Sequence, residues 1–125
     1  MTPETRQTEQ QPAEQLDENA LNELREALGN DTFEMLLSRC SDDIAERLLR
    51  LEQAQAAGDH HKSRALAHQL KGLFSQFGAP NAARIASAAE TGADDAIAQN
   101  VFHLQRSAAA VIAAFATIRG TPAPG

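Results

Sequence analysis

The residues best suited to chemistry lie in one short stretch. His68, Lys71 and Gly72 stand within Ala67-His68-Gln69-Leu70-Lys71-Gly72, with His61 and Arg64 just before it and Ser75 and Gln76 just after. A neutral imidazole nitrogen is a nucleophile near neutral pH, because the unperturbed group titrates at about pH 6.5. A lysine one helical turn further on can pair with phosphoryl oxygens and disfavour protonation of the ring. Phosphoryl transfer demands positioning and charge neutralisation more than covalent work by the protein. The set therefore suits a phosphoryl acceptor, with His68 as nucleophile and Lys71 steadying the transferred group. The chain has no Walker-type glycine-rich loop with which to draw phosphoryl groups from ATP itself.

The helical phase of this stretch separates the candidate site from the core. With His68 at 0° and about 100° per residue, Leu66, Leu70, Leu73, Phe74 and Phe77 fall between about 140° and 240°. The histidine thus points away from the apolar side. Within about 60° of it lie His61, Arg64, Ala65, Lys71, Gly72 and Ser75, cations to one side and small residues to the other. Gly72 sits in a predicted helix interior, where glycine costs about 1 kcal/mol relative to alanine. The loss makes sense if another molecule must approach the backbone beside His68. Arg64, Ala65, Gly72, Ser75 and Gln76 are the candidate partner contacts. A solitary exposed histidine is ordinarily just solvated; its neighbours are what single this one out.

Competing chemistries fit less well. Cys40 is alone, which excludes an internal disulfide and a cysteine-based zinc site. His61 and His68 are seven residues apart, about 10.5 Å along a helix, whereas ligands on one helix sit three or four apart. No metal site is expected. Cys40 falls in an apolar stripe and reads as a buried structural thiol. The net charge of −6 argues against nucleic acid as a partner. That charge is uneven: residues 1–57 hold 13 acids and 5 bases, while residues 58–78 hold one acid and three bases. The site is therefore locally basic in an acidic protein.

The elements that must position these residues are helices. Alanine fills 25 of 125 positions, with two Val, five Ile and no Trp or Tyr, a composition for closely packed helices and not for sheets. Glycines at 29, 58, 78, 92 and 120 divide the chain. Helices are predicted over 17–28, 32–57, 60–77, 80–91 and 95–118. Asp31 with Glu34 reads as a capping box for the second, Asp59 as the cap of the third and Pro80 as the first turn of the fourth. Apolar stripes run through Phe33, Leu37, Cys40, Ile44, Leu48 and Leu51, and through Ile97, Val101, Leu104, Ala108, Val111, Phe115 and Ile118. The fold class is all-α: an antiparallel up-down four-helix bundle with a short extra N-terminal helix capping one end. The bundle is expected over 16–119, between a disordered Gln-rich tail at 1–15 and a tail at 120–125. The N-terminus lacks the apolar run of a signal peptide, and the longest apolar stretch, residues 108–118, is shorter than the roughly 20 that span a bilayer. A cytoplasmic protein without membrane contact is expected.

The run from Ala67 to Gly72, with Phe77-Gly78-Ala79 after it, resembles the histidine-containing phosphotransfer (HPt) domains of two-component phosphorelays. The resemblance rests on His68, Leu70, Lys71, Gly72, Phe77 and Gly78, and Ala89-Glu90 is similar to the family's Leu-Glu pair near the end of the following helix. It spans about residues 17–118 and implies a four-helix bundle with a short extra N-terminal helix. It also implies reversible phosphorylation of His68, with the phosphoryl group exchanged with an aspartate on a receiver domain. Lys71 would stabilise that group and Gly72 would admit the receiver. Leu73 and Phe74 depart from the small residues that usually follow Lys-Gly, and both fall on the core side.

These observations support a phosphohistidine carrier without kinase activity of its own. Its partners would be receiver domains of response regulators and hybrid histidine kinases. It would need no cofactor, with Mg²⁺ on the partner receiver, and an exposed site without an apolar patch favours a monomer. The alternative is a non-catalytic binding module, a decoy or inhibitor of a histidine kinase or response regulator. A helical bundle that merely displays a histidine is the plainest reading.

Overall fold

Stripes of apolar residues at three- and four-residue spacing decide the architecture. The computed structural model describes residues 16–119, and the expected tails at 1–15 and 120–125 lie outside them. Five α-helices occur among the described residues: α1 (Glu18–Leu28), α2 (Asn30–Ala56), α3 (His60–Gln76), α4 (Pro80–Thr91) and α5 (Ile97–Arg119), with a single 3₁₀ turn, Asp94–Ala96, before α5. No strand is present among these residues.

The helices end where the local chemistry stops them. Asp17 caps α1, its Oδ1 accepting the Ala20 N–H at 3.1 Å, and Asp59 caps α3 by accepting from Lys62 at 3.0 Å. Pro80 opens α4 in the first turn. The predicted capping box at Asp31 does not form. Helix α2 begins at Asn30, one residue after α1 ends, and Asp31 lies inside its first turn. Gly29 is the reason: at φ 86° it turns the chain so sharply that it closes α1 and starts α2, leaving no place for a side-chain cap. The fifth helix likewise starts at Ile97, because residues 94–96 wind more tightly.

Helices α2 to α5 form a ring in which each packs on its neighbours in sequence and α5 returns to α2. Short connections make successive helices antiparallel, so the bundle is up-down-up-down. Phe33, Leu37, Ile44, Leu51, Leu70, Phe74, Leu104, Val111 and Phe115 fill its centre, each essentially inaccessible to solvent. The apolar stripe predicted for the fifth helix is buried except for Ile118, which is partly so, and Leu48 is only half-buried on α2. Residues 94–119 are long and apolar enough to cross a membrane by length and composition. Ile97, Val101, Leu104, Val111 and Phe115 of this stretch are buried in the core, whereas Phe102 is exposed on the outer face among Ala98, Ala109, Ala113 and Ala116.

Two features matter for the site. Ala82, Ala86 and Ala89 of α4 are fully buried, and α3 and α4 make the most extensive helix pairing in the bundle. Small side chains let the two backbones approach closely. At the end of α3, Gly78 (φ 71°) turns the chain into α4, and its carbonyl accepts the Asp17 N–H at 2.7 Å. A Cβ at Gly78 would meet Asp17 O and Leu21 Cγ at 3.2 Å each. Helix α1 therefore caps the α3–α4 end of the bundle.

Candidate functional site

Helix α3 turns its two faces in the directions its sequence dictates. Leu66, Ala67, Leu70 and Phe74 are buried, whereas His68 is 64% exposed, and Ala65, Gly72, Ser75 and Gln76 are open to solvent beside it. Apart from the backbone of its own helix and its chain neighbours, no heavy atom lies within 4 Å of a Cβ built on Gly72. His68, Ala65, Gly72, Ser75 and Gln76 thus occupy one outward surface, with Arg64 and Lys71 only partly exposed at its edge. Its centre is the imidazole.

Neighbouring helices flank this surface on both sides. On one side α4 presents Glu90, whose Oε2 is 2.9 Å from His68 Nδ1 and whose Oε1 is 2.9 Å from Lys71 Nζ. On the other, Arg47 of α2 donates from Nε to Gln69 Oε1 at 2.9 Å and from Nη1 to the Asp43 carbonyl at 3.3 Å. The ring is fixed from the α4 side, and the adjacent Gln69 is tied to α2.

Glu90 determines what the imidazole can do. A carboxylate only accepts hydrogen bonds, so in the neutral ring Nδ1 carries the proton that faces Glu90. The lone pair is then on Nε2, the other ring nitrogen. The carboxyl stays ionised. The Lys71 hydrogen bond, more than any other influence, holds Glu90 below the ordinary carboxylate range; partial desolvation opposes this and the His68 hydrogen bond adds to it. Lys71 meets the histidine's partner and not the ring itself.

Arg64 shares this side of α3, yet its guanidinium is engaged within the protein. Nη1 donates to the main-chain carbonyl of Glu90 at 2.8 Å and Nη2 to Asp94 Oδ1 at 2.5 Å. The side chain is 25% exposed. Arg64 holds Asp94 below its usual pKa, and His60, with Nδ1 3.9 Å from Asp94 Oδ1, adds a smaller pull in the same direction. The sequence reading placed Arg64 among the partner contacts; the structure directs its donors at α4 and the 3₁₀ turn.

Glu90 and Asp94 are the residues that spacing along α3 could not supply. A signal for Glu90 existed in the phase of α4. Ala82, Ala86 and Ala89 mark the buried stripe, and the next residue stands at its edge, beside α3. No group of three or more His, Cys, Asp or Glu side chains among the described residues is arranged to hold a metal ion. Cys40 is buried, and desolvation, helped by the nearby Asp43 charge, pushes its thiol up to about 12.

Residues 35–114 match the family described as the Hpt domain. Among solved structures, the chain is similar to histidine-containing phosphotransfer protein B (HptB) from Pseudomonas aeruginosa PAO1. The two share 30% identity with a TM-score of 0.76 over 88% of this chain and 96% of that one. No curated protein matches.

Proposed function

The chain belongs to the Hpt domain family, and on that premise we propose that it is a phosphorelay intermediate that carries a phosphoryl group on His68. It accepts the group from a receiver-domain aspartate and passes it to the aspartate of another receiver, in the cytoplasm. The observation that carries this reading is the orientation of the ring: Nδ1 rests on Glu90 while the imidazole stands exposed in an open surface.

In the forward step the Nε2 lone pair attacks the phosphorus of the receiver's aspartyl phosphate. A P–N bond forms as the P–O bond to the aspartate breaks, and the leaving electron pair returns to that carboxylate. The ring gains positive charge, which the Glu90 carboxylate stabilises through Nδ1–H. Lys71, exposed enough to turn outward from Glu90, supports the phosphoryl oxygens. Return of the group to a second aspartate reverses each of these events. Mg²⁺ belongs to the receiver and neutralises phosphoryl charge there; this chain contributes the nucleophile.

Gly72, Ala65, Ser75 and Gln76 form the surface on which the receiver lies. The carrier acts as a monomer, since transfer needs no second copy. The test is passage of label: the protein is incubated with a phosphorylated receiver and Mg²⁺, separated, and presented to a second, unphosphorylated receiver. Label should appear on the carrier, vanish on acid treatment and move to the second receiver. Receivers that bind without any transfer would refute the carrier and establish the decoy.

A further inference from the structure

We propose that Arg64 is a positioning residue for the acceptor histidine, acting through the backbone of Glu90. The inference rests on His68 being the phosphoryl acceptor. It gives Arg64 work inside the protein instead of at the docking surface.

The need for such a residue follows from where Glu90 stands. Its carboxylate meets two partners on another helix, each at 2.9 Å, from the penultimate position of α4. The last four carbonyls of a helix have no N–H partner within it, so this turn frays most easily. Beyond it the chain leaves the helix at Gly92, whose N–H closes onto the Ala88 carbonyl at 2.8 Å. From α5, Asn100 Nδ2 also donates to the Ala88 carbonyl, at 3.3 Å. Residue 90 itself is held from the α3 side, by Arg64.

The guanidinium is suited to this task. Its planar fork offers donors in fixed directions, and here one arm takes the Glu90 carbonyl while the other takes Asp94, the first residue of the 3₁₀ turn. Both ends of the bend after α4 are thereby fastened to α3. Arg64 lies four residues before His68 on the same helix, so the nucleophile and the clamp share one rigid frame. Glu90 meets His68 and Lys71 through its two carboxylate oxygens, so a displacement of this residue disturbs both contacts together. The titratable and charged groups around this clamp are His60, Arg64, His68 and Lys71 from α3, Asp94 from the turn and Glu90 from α4.

The test separates positioning from docking. The full-length protein labelled with ¹⁵N reports the His68 tautomer by NMR without any partner. Phosphoramidate, a small phosphodonor that loses its nitrogen as ammonia when Nε2 takes the phosphoryl group, reports acceptance without a docking surface. In wild type the ring should be in the Nδ1–H form. In Arg64→Met it should become a mixture of tautomers, and acceptance from phosphoramidate should fall by about tenfold or more. Affinity for a receiver should stay within about twofold. Where Arg64→Met does not fold, Arg64→Lys replaces it, retaining charge and stem without the two-armed fork, and is expected to show a smaller change in the same direction. An unchanged tautomer and rate would overturn the proposal, as would a loss confined to receiver affinity. A wild-type protein that takes no phosphoryl group from any donor would overturn the carrier function, while the tautomer would still decide the role of Arg64.

Discussion

His68 and Glu90 are 22 residues apart in sequence, and the Nδ1 of one lies 2.9 Å from the Oε2 of the other. This contact turns an exposed imidazole into an oriented one. Helix α3 alone presents the ring to solvent; helix α4 fixes which nitrogen faces outward with a lone pair. The relationship depends on close packing of the two helices, for which the buried Ala82, Ala86 and Ala89 provide the room.

Substitutions at Glu90 should divide its two roles. Glu90→Gln keeps an oxygen that can accept from Nδ1 but loses the charge that pairs with Lys71 and stabilises the ring. Glu90→Ala loses both. Phosphoryl acceptance should fall modestly in the first and by about tenfold to a hundredfold in the second, measured as initial rates with phosphoramidate.

The same carboxyl predicts a pH dependence of stability. Its pKa is depressed in the folded protein, chiefly by Lys71. The stabilisation is therefore complete above the unfolded carboxylate value of about 4.3 and is lost as pH falls through the lower folded value. Urea titrations should show wild type exceeding Glu90→Gln above pH 5, with the gap closing below pH 4.

Gly72 should give effects of opposite sign on stability and function. Its Cβ position is empty, so Gly72→Ala should stabilise helix α3 by about 0.5–1 kcal/mol, seen as a higher thermal midpoint. A longer side chain, Gly72→Gln, should leave acceptance from phosphoramidate intact yet slow transfer from a receiver. Equal slowing with both donors would contradict a docking role for this position.

Cys40 should be inert in the native protein. With the thiol pushed up to about 12, only about one part in ten thousand is thiolate at pH 8. A thiol-reactive dye should label almost none of the folded protein and one equivalent after denaturation. Rapid native labelling would show that the α2 stripe opens.

Much of this arrangement was legible in the residues themselves. The stripes of Phe33 to Leu51 and Ile97 to Phe115 named the core, and the wheel about His68 placed Leu70 and Phe74 inward and Gly72 and Ser75 outward. Asp59 was readable as a cap because side-chain capping is local. Asp31 misled because Gly29 let two helices share a corner, a backbone event that composition does not announce. Helical phase puts Arg64 on the site side of α3, but its partners within the protein cannot be read from spacing along that helix. Its acceptors, the Glu90 carbonyl and Asp94, lie 26 and 30 residues away and are brought to it only by folding.

In the proposed carrier, His68 accepts the phosphoryl group at Nε2 while Nδ1–H stays on Glu90. Phosphorus and ¹⁵N NMR of the labelled protein, after phosphorylation by a receiver with Mg²⁺, tests it directly. The predicted spectrum shows one acid-labile phosphoramidate with the phosphorus coupled to Nε2 of His68 and a proton retained on Nδ1, and no such signal in His68→Gln. Phosphorus on Nδ1, or a signal that persists in His68→Gln, would contradict it.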